Sequence, residues 1–404
     1  MSKQEENIIT VVDVGSAKTC ALAAEVTDIG LRYRGHGITE SRGSRKGHIV
    51  DLEKAAASIK KAVDEAETLA ESPLEHATIG IAGPHIRGVN SQGGLALGTR
   101  PREIGRDEIR AAIDRARSIS MPPDREILHL LQQEFILDDQ SGVRDPAGMV
   151  GTRLEVRIHI VTASSSAIQN VVTAMNLAGM EVDDQVFEPL AAAETLLRSD
   201  DRELGVTLID IGAGSTELIV FHEGVVVYTG SIPIGGDHFT NDIAVGLKTP
   251  VGEAEGLKRM FGCAVVTMIP EGNEIEVPTV GDRPSRLVQQ RYLGEIIEPR
   301  ARELFEMIRD TLRQTGVLDL CTAGIVITGG AARLNKTLDM AEDVLRKSAR
   351  FAMPIPISKM PEQLLDPEFA TVLGLMLYAH RTKLVKARED QGLGAKFKML
   401  FAKR

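Results

Sequence analysis

Tryptophan is absent from this sequence, tyrosine occurs four times, and aromatic residues make up only 3% of 404 positions. With rings so scarce, any place where two phenylalanines fall together carries weight. Cysteine is scarcer still. Cys20, Cys263 and Cys321 are too scattered for a disulfide framework or a close-spaced metal site, which implies a reducing compartment. Cys20 and Cys321 lie in apolar, strand-like runs, as small core residues do. No apolar run is long enough to cross a bilayer, and the polar start at 1–7 is not a signal peptide, so a cytoplasmic chain is expected. Positive charge is also short: 47 Lys and Arg against 57 Asp and Glu leave a net −10, which disfavours nucleic acid as a partner. What remains, 43% apolar and 26% charged, describes a folded soluble chain too long for one core, hence two lobes.

The stretch Val206–Phe221 organises the chain. A β-branched run ends in Asp210, breaks at Gly212-Ala-Gly-Ser-Thr216 and resumes at Leu218, which predicts strand, tight turn, strand. Two glycines let a ligand approach the backbone and turn N–H groups inward, and Ser215 and Thr216 add hydroxyl donors, a combination suited to phosphate. Asp210 stands where a phosphate-bound Mg²⁺ needs a carboxylate. Alone, this is better read as an ordinary hairpin. However, Ile8–Glu25 repeats the layout, with Asp13, Gly15, Ser16 and Lys18 between apolar runs. Two copies half a chain apart predict a duplicated fold whose halves face one cleft. A third element, Ala323–Ala332, ends a buried strand in Gly329-Gly330, where a base or ribose can lie flat on the backbone.

In chain order, Asp51 caps a predicted helix to Ala70 with Ala55, Ile59, Ala62, Val63, Ala66 and Leu69 on one face. Thr78–Gly83 reads as a short buried strand. The texture changes over 85–163: a charged helix over 106–119 and strands at 127–137 and 152–162 predict a compact inserted subdomain, in which His129 and His159 are structural. Serines at 164–166 suit a helix start. At Phe187-Glu-Pro-Leu, Pro189 begins a helix. Glu188 there admits two readings: a carboxylate orienting a water for attack on a γ-phosphate, or an ordinary helix-start acid. Ser231–Ala244 reads as a glycine turn opening a helix, with an anion site at its N-terminus. Glu255 and Lys258 share a helix face as a solvated pair. Val277–Pro284 reads as a turn-rich link and 287–312 as a long helix that Pro299 kinks or starts.

Asp13-Val-Gly-Ser, Asp210-Ile-Gly-Ala-Gly-Ser-Thr, Glu188-Pro-Leu-Ala-Ala and Thr328-Gly-Gly-Ala-Ala resemble the two phosphate motifs, the first connecting motif and the adenosine motif of the actin-like ATPase superfamily. Ser41-Arg-Gly-Ser-Arg-Lys-Gly47, Ile232-Pro-Ile-Gly-Gly-Asp237, Asp242-Ile-Ala244 and Ile296-Ile-Glu-Pro-Arg300 are similar, more narrowly, to the bacterial cell-division family FtsA. The likeness spans nearly the whole chain and departs in a short linker before the C-terminus.

The resemblance implies an α/β, actin-like (ribonuclease H-like), duplicated two-lobed fold with an FtsA-type insertion. Its expected parts are 8–84, 164–200 and 367–385 for the first lobe core, 85–163 for the insertion, 201–245 and 317–366 for the second lobe core, and 246–316 for a further subdomain. A linker would cover 386–392 and a membrane-targeting helix 393–404. The implied cofactors are ATP and Mg²⁺. Asp13 and Asp210 would hold the metal through water. Gly15, Ser16, Lys18 and Thr19 would meet the β-phosphate side, and Gly212, Gly214, Ser215 and Thr216 the γ side. Gly329, Gly330 and Ala331 would line the adenosine, with Glu255 and Lys258 beside ribose and base, in place of their reading as a solvated pair. Glu188 would position water in a weak ATPase at most, with ATP chiefly a conformational ligand. Implied partners are the FtsZ C-terminal peptide, near Arg300 and Arg302, further copies of the chain in a filament, and later divisome membrane proteins.

The tail states the same from residues. After Asp390 there is no acid, and at about 100° per residue Leu393, Phe397, Leu400 and Phe401 share one arc flanked by Lys396, Lys398, Lys403 and Arg404. Such a helix lies in an interface with anionic lipid and binds stably only in several copies. Together with such a tail, the resemblance implies a place on the cytoplasmic face of the bacterial inner membrane, peripherally, at the division septum. Two other readings stand beside this scaffold: a platform protein like that of type IV pilus assembly, and a soluble sugar or carboxylate kinase, which has no use for an amphipathic tail.

Overall fold

The computed structural model describes the backbone of residues 7–281 and 284–401, and side chains in that span as far as Val385. Two five-stranded sheets carry it. The first runs in the order Glu181–Phe187, His76–Ile81, Ile8–Val14, Lys18–Thr27, Gly30–Glu40. The second runs Val225–Ile232, Thr216–His222, Val206–Ile211, Ile325–Thr328, Ala349–Phe351. In each, a central strand pairs antiparallel with the next strand in sequence and parallel with a later one, so the expected duplication is present in the topology. The parallel pairing requires both faces to be covered. Leu52–Ala70 and Ser165–Leu177 pack on one side of the first sheet, and the helices Glu188–Leu196 and Ala370–Phe401 on another.

Asp51 accepts from the Lys54 N–H and starts the first helix. Its last turn departs from expectation: Leu69 is exposed and Ala70 buried. The Gly35 backbone presses so close that a Cβ there would meet the Ala70 nitrogen at 2.8 Å, leaving space only for alanine. Residues 85–163 form a separate four-stranded sheet in the order Gln140–Val143, Arg125–Leu137, Arg153–Ser164, Arg87–Ala96, covered by the helix Arg106–Arg117. Its core is built on Phe135, Leu154, Val156, Ile158 and Ala116. Both histidines act structurally: His129 Nε2 accepts from the Phe187 N–H at 2.9 Å, and His159 bridges Asn90 and Thr229.

The predicted link after Val277 is a hairpin: Glu274–Val277 pairs with Arg286–Gln289, and the long helix begins at Gln290. Pro299 lies within that helix, neither starting nor ending it. The side chains of the linker expected over 386–392 and those of Leu393, Lys396, Phe397, Lys398, Leu400 and Phe401, expected to meet a membrane, lie outside the described side chains, and Lys403 and Arg404 outside the described residues.

Candidate functional site

The two central strands end alike. Asp13 is the penultimate residue of Ile8–Val14 and Asp210 that of Val206–Ile211. Each leads into the same turn, closed by Gly15 N–H donating to the Lys18 carbonyl and by Gly212 N–H donating to the Ser215 carbonyl, both at 3.0 Å. Both turns open on one cleft of about 860 Å³, lined also by Ser16, Glu188, Gly214, Glu255, Lys258, Gly329, Gly330 and Ala331. Glycine is required by close approach at Gly214, where a Cβ would meet Ser16 Oγ at 2.6 Å and Gly47 N at 2.7 Å. It is required by conformation at Gly329, whose φ of +93° is left-handed and whose Cβ would run into Asp210 Oδ1.

Two predicted residues stand apart from the cleft. Thr19 is buried with its hydroxyl 2.8 Å from Ser41 Oγ, and Thr216 donates to the Ile234 carbonyl at 2.7 Å. Each points into its own lobe because side chains alternate along a strand. The anion site expected at the start of Gly236–Leu247 is also absent from its first two donors. Gly236 and Asp237 N–H bond the Gly212 and Ala213 carbonyls at 2.9 Å, so that helix end braces the second hairpin instead. Arg300 forks onto Asp242 and also pairs with Glu303, while Arg302 pairs with Asp343 and Glu298. Both arginines lie outside the cleft.

The cleft floor concentrates buried carboxylates. Burial pushes Asp13 up to about 6, with Lys18 opposing and Asp210 adding to the rise. Asp210 is raised by burial against a hydrogen bond from Thr371 and the charge of Lys18. Glu188 is raised well above its ordinary value by burial, then by Asp13, Glu217 and Asp210, and it packs so tightly that a Cβ on Gly80 would meet its Cγ at 2.8 Å. At the other end, burial would raise Glu255, but hydrogen bonds from Lys258, Thr240 and Arg259 hold it down at about 2. Lys258 also donates to the Gly236 carbonyl and to Thr240 Oγ1, so the pair is a buttress within the cleft wall and not a solvated couple. Among the described residues no group of three or more His, Cys, Asp or Glu is arranged to hold an ion. Asp13 and Asp210 offer a hard cation two carboxylates, which leaves most of its coordination to water or ligand oxygens.

Several lining residues went unread in the sequence. Lys18 Nζ donates to the Glu368 carbonyl at 2.7 Å, pairs with the Glu368 carboxylate at 3.1 Å and lies 3.7 Å from the Phe369 ring centre. Thr371 and Gly47 reach the cleft as well, and none of these has a local signal. Glu217 had one: a lone acid inside an otherwise apolar strand.

A model of the family described as cell division protein FtsA matches residues 207–374, and one for the SHS2 domain inserted in FtsA matches 83–162. The chain is 40% identical to the cell division protein FtsA of Pseudomonas aeruginosa over 93% of its length and 90% of that protein's. To that of Escherichia coli K12 it is 32% identical, over 98% and 97%. Solved structures share the fold at lower identity. A PilM–PilN type IV pilus biogenesis complex superposes with a TM-score of 0.66 at 17% identity, covering 92% of this chain and 98% of that one. MreB5 of Spiroplasma citri bound to ADP gives 0.56 at 15%, covering 96% and 99%, and a MamK double helical filament 0.52 at 12%, covering 92% and 98%. The fold is therefore actin-like and two-lobed with an SHS2 insertion, and with such identity over nearly the full length of both chains, this chain belongs to the FtsA family of cell-division proteins.

Proposed function

We propose that this chain is an ATP-binding scaffold of bacterial division that polymerises on the inner membrane, tethers the FtsZ ring through the FtsZ C-terminal peptide and recruits later divisome proteins. One observation carries the nucleotide part: Asp13 and Asp210, at equivalent ends of duplicated sheets, are buried on the floor of one cleft. The residues fit the group. The cleft volume falls within the roughly 300–1,000 Å³ of small-molecule sites, the glycines Gly214 and Gly329 let the segments that wall it approach closely, and carboxylate oxygens suit Mg²⁺. Asp13 and Asp210 would hold Mg²⁺ through water, which when bound supplies charge neutralisation at the phosphates. Gly15, Ser16 and Lys18 face the β-phosphate end, Gly212, Gly214 and Ser215 the γ end, and Gly329, Gly330 and Ala331 the adenosine, with Glu255 and Lys258 closing that wall. For Lys18 this reading requires the ammonium to leave Glu368. Glu188 would hold a water in line for attack.

The solved structure of MreB5 with ADP and that of MamK as a double helical filament support nucleotide binding and self-assembly in an actin-like chain. Among the described residues no helix is long and apolar enough to cross a membrane, so attachment rests on the tail residues Leu393 to Arg404. Arg300 and Arg302 are the proposed place for the FtsZ peptide; both are partly exposed, and an acidic peptide would have to compete with Asp242 and Asp343.

Three measurements test this reading. Asp210→Ala should abolish Mg·ATP binding in a fluorescence titration, and unchanged affinity refutes the site. Liposome co-sedimentation on anionic vesicles should be lost when the chain ends at Asp390, and equal binding refutes the anchor. Filaments on an anionic lipid monolayer with ATP would exclude a soluble kinase.

A further inference from the structure

Glu217 is 4% exposed, and no Lys, Arg or His among the described residues forms an ion pair with it. Its Oε1 accepts three hydrogen bonds: from Ser215 Oγ at 2.6 Å, from Ser231 Oγ at 3.1 Å and from the Gly83 N–H at 3.1 Å. Ser215 and Ser231 belong to the second lobe. Gly83 follows the strand His76–Ile81 of the first, so one carboxylate oxygen joins the two lobes at the cleft. Ser215 also lines the cleft, and a hydroxyl has a single proton to donate. In this structure the Ser215 hydroxyl spends that proton on Glu217 in a short hydrogen bond. Gly83 is held by close packing as well: its φ is +126°, and a Cβ on it would stand 2.8 Å from the Gly47 carbonyl. The glycine N–H therefore has little freedom to find another partner.

Resting on the nucleotide reading above, we propose that Glu217 is a positioning residue that competes with a nucleotide γ-phosphate for the Ser215 hydroxyl and passes the outcome to Gly83 of the opposite lobe. With a diphosphate, Ser215 stays on Glu217 and Oε1 is shared among three donors. A γ-phosphate draws the Ser215 proton away. Oε1 then keeps only Ser231 and Gly83, and the bond across the lobes strengthens because fewer donors share one oxygen. A triphosphate is thus distinguished from a diphosphate by how firmly the lobes are joined, with no bond broken in the nucleotide.

The test uses the full-length chain and its Glu217→Gln and Glu217→Ala variants. Each is titrated calorimetrically with Mg·ADP and Mg·AMPPNP, and amide exchange of the Gly83 segment is followed in each state. In the wild type, Gly83 should exchange more slowly with AMPPNP than with ADP. Glu217→Gln weakens and Glu217→Ala removes the acceptor that competes for Ser215, so each should bind AMPPNP about fivefold more tightly relative to ADP. Glu217→Gln retains an acceptor at Oε1 and should keep Gly83 protected, whereas Glu217→Ala should speed its exchange about tenfold and erase the difference between nucleotides. If the alanine variant does not fold, the glutamine variant decides through the affinity ratio. An unchanged ratio overturns the role of Glu217 while leaving nucleotide binding intact. A wild-type chain that binds neither nucleotide overturns both.

Discussion

Thr371 Oγ1 donates to Asp210 Oδ2 at 3.0 Å, joining the first turn of the C-terminal helix to the second hairpin. The bond works against the burial that raises Asp210, and so favours the charged carboxylate where a cation is proposed. The same helix leads toward the tail, so the site and the proposed membrane anchor are ends of one element.

Thr371→Val keeps the shape of the side chain and removes this donor. Mg·nucleotide affinity should fall about five- to tenfold, as expected for a hydrogen bond to a charged group. Calorimetry with Mg·ADP measures it; affinity equal to the wild type would show that Asp210 does not depend on this contact.

Gly214→Ala places a Cβ 2.6 Å from Ser16 Oγ and 2.7 Å from the Gly47 nitrogen, so one hairpin must move off the other. Nucleotide binding should drop by at least about tenfold, the usual outcome when a close backbone approach is blocked. Gly256→Ala is the control. Gly256 lies within the helix Val251–Phe261 with only Met260 Cε near, at 4.0 Å, and the change should stabilise the chain by about 0.5–1 kcal/mol.

Glu188→Gln tests the water-positioning role. Glu188 is buried and raised by desolvation, so a neutral amide is tolerated and the melting temperature should hold or rise. Nucleotide affinity should stay within about twofold while turnover falls at least about tenfold, the scale of a lost acid–base or orienting group. Undiminished phosphate release would leave Glu188 as a helix-start acid.

Burial lowers His129 to about 4, while its unfolded value is near 6.5. Between those values the unfolded chain takes up a proton that the folded chain refuses. The stabilisation is therefore complete above about pH 6.5 and lost as pH falls toward 4. His129→Gln removes that titration. Urea melts should show the wild type's advantage over the variant shrinking by about 1 kcal/mol between pH 7 and 5.5; a constant gap would mean that His129 takes up a proton as readily in the fold as in the unfolded chain.

Asp13, Asp210 and the glycines of both turns were legible because a strand ending in acid, apolar residue and glycine is a local pattern, and its repetition within one chain reports a duplicated fold. The inserted subdomain at 85–163 was legible as a break in texture. Leu69 and the hairpin at Glu274–Gln289 were misread because each is decided by a neighbour: the Gly35 backbone beneath the helix, and one short polar strand pairing with another.

Sequence by itself determined the repeated strand–turn–strand units and the acids at their ends, since alternation and turn glycines act between residues a few positions apart. Only the tertiary structure decided that Thr19 and Thr216 turn inward, that Lys18 rests on Glu368 and Phe369, and that Thr371, 161 residues away, reaches Asp210. The joining of Ser215 to Gly83 through Glu217 belongs to the same class. Such contacts depend on where the chain returns after long excursions and on the exclusion of water when two lobes meet, and neither is encoded in any short stretch of residues.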